Sequence, residues 1–445
     1  MRRYCKRVDI EDEGFCLVAV RDFLRGKSGR REVQALLDEY GGEEELARSL
    51  AAEIRERRVT VAPIQYFNRI EPINGKHRII GRETPKHQCF DYIAVNGLAE
   101  MLMAKIGDYQ TASIPGRGQI FAKHAIEKWI REPGARYFIK LDIRKFYPSI
   151  DQDVLRAMLA RDVKNEALLY LVGVLLDQFP HGLNIGSFLS QYLANYYASR
   201  AYHYAQERLR KTRVNRRTGA VTDKRLVDHV LFYMDDILLM GHDKRDLKMA
   251  ARRLSKFVMD ELHVELKPWK VCAVDKEPLD MVGFVFYTYK TTIRPGIFLR
   301  ARRAFMLAGR SEVIPLPLAR RCISYYGYLK HSCSKGVIEK YHAEDTFARC
   351  KDVVSLAETE RRLDESLFDG GASGRGLPRA PGRLRGHQAA PQHPEGDARA
   401  DRPCRRSHRG VAGRRAVRPR SHLEGRGHRD VRPALGAGRA RRHDP

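Results

Sequence analysis

The stretch LFYMDDILLM, residues 231–240, sets two adjacent acids, Asp235 and Asp236, between two runs of bulky apolar side chains. Asp is common in turns, so a polar hairpin tip is the plain reading. Carboxylates flanked by core-forming strands are costly to desolvate, however, and such groups are usually paired or given a metal. The flanks predict an apolar strand, a two-acid turn and a second apolar strand. About ninety residues earlier lies YFIKLDI (137–143), a strand-like run whose apolar residues bracket Asp142. If the two segments are neighbours, three carboxylates converge on one edge of a sheet. Three hard oxygen donors are what a pair of Mg²⁺ ions needs, the remaining ligands coming from water and a triphosphate. Two such ions lower the pKa of an attacking 3′ hydroxyl and stabilise charge on a leaving pyrophosphate. For Asp142 alone, a strand cap is the simpler reading. For three acids with these flanks it is not.

The bulk composition is compatible with that chemistry. A chain of 445 residues can form two or three domains with sizeable cores. No apolar run approaches the roughly 20 residues needed to span a bilayer, and the N-terminus has no apolar signal-peptide core. Eight cysteines are scattered with no CxxC pair, which speaks against a zinc ribbon or a disulfide framework and points to a reducing cytoplasm. The formal net charge is +27, of which +13 falls in residues 371–445 and +14 in the rest. The body is therefore basic in its own right and suited to a polyanionic partner, although a charge run is usually only a solvated face.

Organisation follows from patterning. Residues 1–60 read as a helical extension, with apolar side chains at three-to-four spacing in REVQALLDEYGGEEELARSLAAEIRERR. Short β-like runs with turn signals follow, and then a helical pattern. Residues 207–228, ERLRKTRVNRRTGAVTDKRLVD for the most part, read as an exposed basic connection. After residue 240 come a helix, a pair of strands in MVGFVFYTYKTTIRPG and helices to about residue 363. Strands and helices alternate without the regularity of a doubly wound sheet, so the fold class is α+β. From residue 371 onward there is no Lys, Ile, Phe, Tyr, Trp, Met, Asn or Thr. Residues 364–445 are accordingly expected to be disordered. Loss of the residues with AT-rich codons fits a shifted reading frame in a GC-rich gene, and a genuine Arg-rich RNA-binding tail fits equally well.

FYMDD is similar to the YxDD signature of reverse transcriptases, and YFIKLDIRKFYPSID resembles the palm strand that carries their first catalytic aspartate. The resemblance runs from about residue 60 to about residue 345. It implies a right-hand polymerase with fingers (61–135), palm (136–290) and a short helical thumb (291–363). It implies Asp142, Asp235 and Asp236 as the catalytic, metal-binding triad, with the Ile143 backbone carbonyl as a further ligand and Mg²⁺, or Mn²⁺, as the ions. Tyr233 and Met234 fill the signature beside the template and primer. Tyr147 matches the position where a bulky ring excludes a 2′ hydroxyl, although Phe146 beside it could take that role. NGKHRIIG resembles the segment that grips the incoming triphosphate, with Lys76 and Arg78 on one strand face. SIPGRGQIFAKHAIEKWI resembles the segment before the palm, a likeness that implies Arg117 and Lys123 as template-phosphate contacts. ELKPWKV resembles the later palm motif whose lysine, here Lys267, sits near the leaving pyrophosphate, MVGFVFY resembles a primer grip around Gly283, and SYYGYLKHS (324–332) resembles a thumb helix.

A finer likeness lies in NIGSFLSQYLANYY. Most reverse transcriptases read QGxxxSP here, whereas this chain has Ile185 for the Gln and Gln191 for the Pro. IGxxxSQ resembles the form in diversity-generating retroelements, whose enzymes copy a template-repeat RNA and miscopy its adenines. Ile185 cannot hydrogen-bond at the nucleotide site, and discrimination falls when a polar contact to the correct partner is absent. Gly186 and Ser187 would still allow close backbone approach. The resemblance implies a structured template RNA, its cDNA product, deoxynucleotide substrates and a small basic accessory protein, in a bacterial or phage setting. No HNH-like Cys/His cluster or RNase H set stands out, and little chain follows the thumb for a maturase domain. Other readings are a retron, abortive-infection or group II intron-like enzyme, or a basic protein that binds RNA without catalysis.

Overall fold

The computed structural model describes residues 3–70 and 77–369, the last nine of them by backbone alone. Lys76 and residues 370–445 lie outside the described residues, as do the expectations that fall on them.

The sheet that carries the three aspartates is built from β3 (Tyr137–Asp142), β6 (His229–Tyr233), β7 (Asp236–Gly241) and β8 (Val271–Ala273), all antiparallel, in the order β6-β7-β3-β8. Its strands read as continuous apolar runs because both faces are covered. Alternate side chains supply two different cores. Ile139, Leu141, Val230, Phe232, Ile237 and Leu239 join the largest core. Phe138, Leu231, Leu238 and Met240 join a second one on the other face. The first face is packed by α9 (Phe188–His203) and α10 (Lys244–Leu262), with α4 (Pro85–Lys105) packed against α9; each is started by a side-chain cap, from Ser187, Asp243 and Thr84 respectively. Against the second face lie α5 (Gln119–Arg131) and a three-stranded antiparallel sheet, β9 (Leu279–Met281), β10 (Phe284–Phe286) and β11 (Thr291–Ile293).

Three helices at the N-terminus, α1 (Glu13–Leu24), α2 (Arg31–Tyr40) and α3 (Glu43–Arg55), extend the first core by packing on α4 and on α8 (Glu166–Asp177). The hairpin of β1 (Gln65–Ile70) and β2 (His77–Arg82) leads into α4. Between β3 and α8 stand the single turn α6 (Phe146–Ser149) and α7 (Gln152–Asp162). A third core joins α11 (Pro295–Arg310), α12 (Leu316–Lys330) and α14 (Ala343–Asp369), with the short α13 (Lys335–Lys340) between the last two.

Three expectations change. The basic connection is exposed but ordered: after a π-helical turn (Tyr204–Arg208), β4 (Arg210–Val214) pairs antiparallel with β5 (Val221–Arg225). Lys211 and Lys224 fasten this hairpin to the buried Asp246 at the start of α10. Helix α14 continues to Asp369, beyond the expected end at residue 363, because no helix breaker occurs before Gly370. The boundary at 290/291 falls between two paired strands, β10 and β11. Among the described residues, no helix is long and apolar enough to cross a membrane.

Gly283 is the joint between the second core and α12. Its φ is +81°, and a Cβ there would meet the Tyr328 ring at 2.7 Å and the Gln119 amide nitrogen at 2.9 Å. Gln119 itself donates to the Val282 carbonyl and to Tyr328 Oη (3.0 Å). Gly283→Ala should therefore lower stability by about 1–3 kcal/mol, read as a shifted urea midpoint. A midpoint equal to wild type would mean that the joint relaxes freely.

Candidate active site

The β6–β7 hairpin closes on the pair Tyr233↔Asp236, leaving Met234 and Asp235 as a two-residue turn. Met234 has φ +52° while Asp235 is not left-handed, which is the pattern of a II′ turn with a methionine where glycine is usual. Such strain costs on the order of 1–3 kcal/mol and persists only where neighbours hold it. The neighbours are visible: the Ile143 N–H donates to the Asp235 carbonyl at 3.0 Å, and the Tyr147 hydroxyl reaches Met234 Sδ at 3.9 Å.

Register then gathers the acids. Asp142, the last residue of β3, is directly opposite Asp236, the first of β7, with Asp235 beside it in the turn. Opposed residues of an antiparallel pair lie about 5 Å apart at Cα. Two lysines balance part of this charge. Lys267 Nζ is 2.7 Å from Asp142 Oδ1, and Lys140 Nζ is 3.1 Å from Asp236 Oδ1. Lys267 is placed by the backbone, since its N–H donates to the Asp142 carbonyl at 2.9 Å beside the Ile143↔Leu266 bridge. Among the described residues, no lysine pairs with Asp235. Partial desolvation, then Asp236 and Asp142, raise its carboxyl above the usual range, and Arg78 opposes the rise.

A loop before α9 completes the surroundings. The Leu183 N–H donates to the Tyr147 carbonyl at 2.9 Å, so this loop is tied to the turn that faces Met234. Gly81 of β2 is held by Asn184, whose amide accepts from the Gly81 N–H (3.0 Å) and donates to its carbonyl (3.3 Å). The Gly81 N–H also meets the Ile185 carbonyl at 3.2 Å. At Gly186, φ is +121° and a Cβ would sit 2.9 Å from the Gly81 carbonyl oxygen, so only glycine allows β2 this close. Phe146 is buried in the core, whereas Tyr147 is half-buried against Met234, its phenol pKa pushed up by burial and by Asp235.

Residues 68–286 match the family model for reverse transcriptase (RNA-dependent DNA polymerase). The chain carries a reverse-transcriptase domain. A solved structure of telomerase from Candida albicans, in complex with a TWJ fragment of telomeric RNA, aligns over 67% of this chain and 56% of that one. The identity is 11% and the TM-score 0.41, and the chain spans little more than half of that relative's length. No curated protein matches the sequence.

Within the reverse-transcriptase domain, the structure brings together Asp142, Asp235, Asp236, Ile143, Tyr147, Met234 and Lys267, with Arg78 near enough to act on Asp235. Tyr233 is half-buried beside them, against Tyr328. Other expected residues are engaged elsewhere. Lys123 is 7% exposed and its ammonium is paired with Glu127 at 2.8 Å, one helical turn on, so it is part of the scaffold and not a free phosphate contact. Arg117 donates to the Gly107 carbonyl at 3.0 Å and leans on Asp108, which staples its own loop. Gln191 lines a cleft of about 430 Å³ with Lys27, Arg30 and Gln88, and none of the three aspartates lines that cleft. Gly283 serves the joint described above. Sequence reasoning missed Lys140, although it stands two residues before Asp142 and so on the same strand face.

Three carboxylates with two ammonium groups already drawn to them fit a divalent-cation site, and reverse-transcriptase domains generally use such ions. The raised carboxyl of Asp235 has a consequence without metal. A group whose folded pKa is above its unfolded value is penalised when ionised, so the penalty is present at neutral pH and relieved as pH falls through the folded pKa. In EDTA at pH 7, Asp235→Asn should thus raise the melting temperature, by an increment that shrinks on acidification. A lower melting temperature would contradict the crowding of the three acids.

Proposed function

We propose that the chain is an RNA-directed DNA polymerase of the diversity-generating retroelement type, copying a template-repeat RNA into cDNA with errors directed to adenines. The observation that carries the finer reading is the loop at Ile185. Its backbone is fixed against β2, yet the residue it presents has no polar group with which to test a base pair. On this reading residues 61–135 are fingers, the palm runs from 136 through β11, and the thumb follows to the end of α14, behind the helical extension of residues 1–60.

Asp142, Asp235, Asp236 and the Ile143 carbonyl would hold two Mg²⁺ ions, which lower the pKa of the primer 3′ hydroxyl and neutralise charge on the phosphates. The protein's own groups then do the positioning. Lys267, released from Asp142 when a cation takes that carboxylate, is free to pair with the leaving pyrophosphate. Arg78 approaches from the opposite hairpin, where a bidentate guanidinium suits the triphosphate. Tyr147, with Met234 behind it, presents a ring where a ribose 2′ hydroxyl would clash. Tyr233 and Met234 lie along the primer end. Template RNA, the cDNA product and a small basic accessory protein are the partners this class implies.

Purified protein with its template RNA should give cDNA substituted mainly opposite adenine, as read by sequencing. Faithful copying of adenines would sink the retroelement assignment and leave the polymerase assignment intact. Asp235→Ala with Asp236→Ala should abolish synthesis, a loss of at least about 10³-fold for groups at the reacting phosphate, while RNA binding by filter retention stays. Ile185→Gln should lower the error rate opposite adenine without a comparable loss of rate; an unchanged error spectrum would remove Ile185 from the explanation.

A further inference from the structure

Glu83, His87 and Asp91 stand four residues apart where β2 passes into α4, Glu83 just ahead of the cap Thr84 and the other two on the helix. They are 5%, 0% and 0% exposed. One ligand atom from each lies within 4.8 Å of the other two. Neither ring nitrogen of His87 has a hydrogen-bond partner, nor does Asp91 Oδ1, which faces His87 Nε2 at 3.9 Å. A buried polar atom left unpaired costs about 1–3 kcal/mol, so several in one place call for a common partner.

The outer atoms of the same side chains are well held. Asp91 Oδ2 accepts from Ser187 Oγ at 2.8 Å and from the Leu189 N–H at 3.1 Å, and Glu83 Oε1 accepts from the Asn184 amide at 3.2 Å. Each carboxylate is therefore oriented from outside. An imidazole and two carboxylates whose outer atoms are fixed by further hydrogen bonds form a set that suits Zn²⁺. Burial and the neighbouring Asp91 push the Glu83 carboxyl up to about 9, and a dication between the two would let both ionise. Imidazole favours zinc over magnesium, which takes oxygen donors. A tetrahedral zinc shell spaces its ligand atoms about 3.3 Å apart, from Zn–N and Zn–O lengths near 2.0 Å. From separations of up to 4.8 Å, the cluster would have to tighten by at most about 1.5 Å.

We infer that Glu83, His87 and Asp91 form a structural zinc site, separate from the three catalytic aspartates, that ties the entry of α4 to the loop bearing Ile185 and Gly186. The tie is direct, because Asn184 and Ser187, on either side of those two residues, hydrogen-bond to the proposed ligands.

The test uses the full chain carrying Asp235→Ala and Asp236→Ala, so that the catalytic carboxylates do not account for the ion, with any tag removed. Zn²⁺ titrated against a chromophoric chelator should bind at one ion per chain, and Co²⁺ in its place should give visible tetrahedral bands. His87→Gln and Asp91→Asn should each weaken Zn²⁺ by more than about 100-fold, since even outer partners of metal ligands are worth 10–100-fold. Zn²⁺ binding with unchanged affinity in both variants would put the ion elsewhere and overturn the proposal, and so would no stoichiometric binding at all. Should the variants fail to fold, the Asp235→Ala, Asp236→Ala chain with Glu83, His87 and Asp91 intact decides: chelation should lower its melting temperature and Zn²⁺ restore it. A melting temperature indifferent to both would mean that water, not metal, fills the cluster.

Discussion

The register of β3 against β7 is the constraint on which the rest depends. Because Asp142 is paired with Asp236, three carboxylates are forced to one end of a sheet most of whose other positions are buried. A slip of one residue would turn every side chain of β3 to the wrong core and separate the acids. The two cores therefore do more than stabilise. They fix the register, and the register holds like charges together that would otherwise move apart. Lys140 and Lys267 offset that repulsion with ammonium groups within about 3 Å of Asp236 and Asp142.

Around this fixed end, contact is made mostly by backbone. The turn at Met234 is held by the Ile143 N–H, the Tyr147 turn by Leu183, and β2 by Asn184 and the Ile185 carbonyl. Apart from those of the Asn184 amide, these are main-chain bonds, which position side chains without depending on which side chain is present. That is why Gly186, where a Cβ would strike Gly81, matters to the geometry, while its neighbour Ile185 meets β2 through its carbonyl.

Much of this was legible in the sequence, and the reasons are specific. The apolar flanks of Asp235 and Asp236 and of Asp142 carry the strand signal, and the two-residue gap carries the hairpin. The adjacency of β3 to β7 was inferable from the chemistry the acids would serve, but the order β6-β7-β3-β8 was not. The β4–β5 hairpin was hidden because its exposed strands are charged and lack the alternation that burial imposes. Lys123 and Arg117 were read from the likeness of their segment and from their charge, and neither says whether a cation faces a ligand or an internal acid. For Lys123 the clue was present, since Glu127 follows at the spacing of one helical turn. Asn184, Ser187 and Asp91 left no local signal, because their contacts span about a hundred residues of chain.

Those long-range contacts bear on how infidelity could be built into a polymerase. Loosening a nucleotide site by softening its backbone would disturb the carboxylates too, since Leu183, Tyr147 and Met234 form a continuous chain of contacts to the aspartate turn. Keeping the loop fixed through Asn184 and Ser187 and changing only the side chain at Ile185 avoids that coupling. On this reading, error rate and catalytic rate reside in different atoms of one loop: the main chain maintains the geometry of phosphoryl transfer, and a single apolar side chain withholds the check on the base.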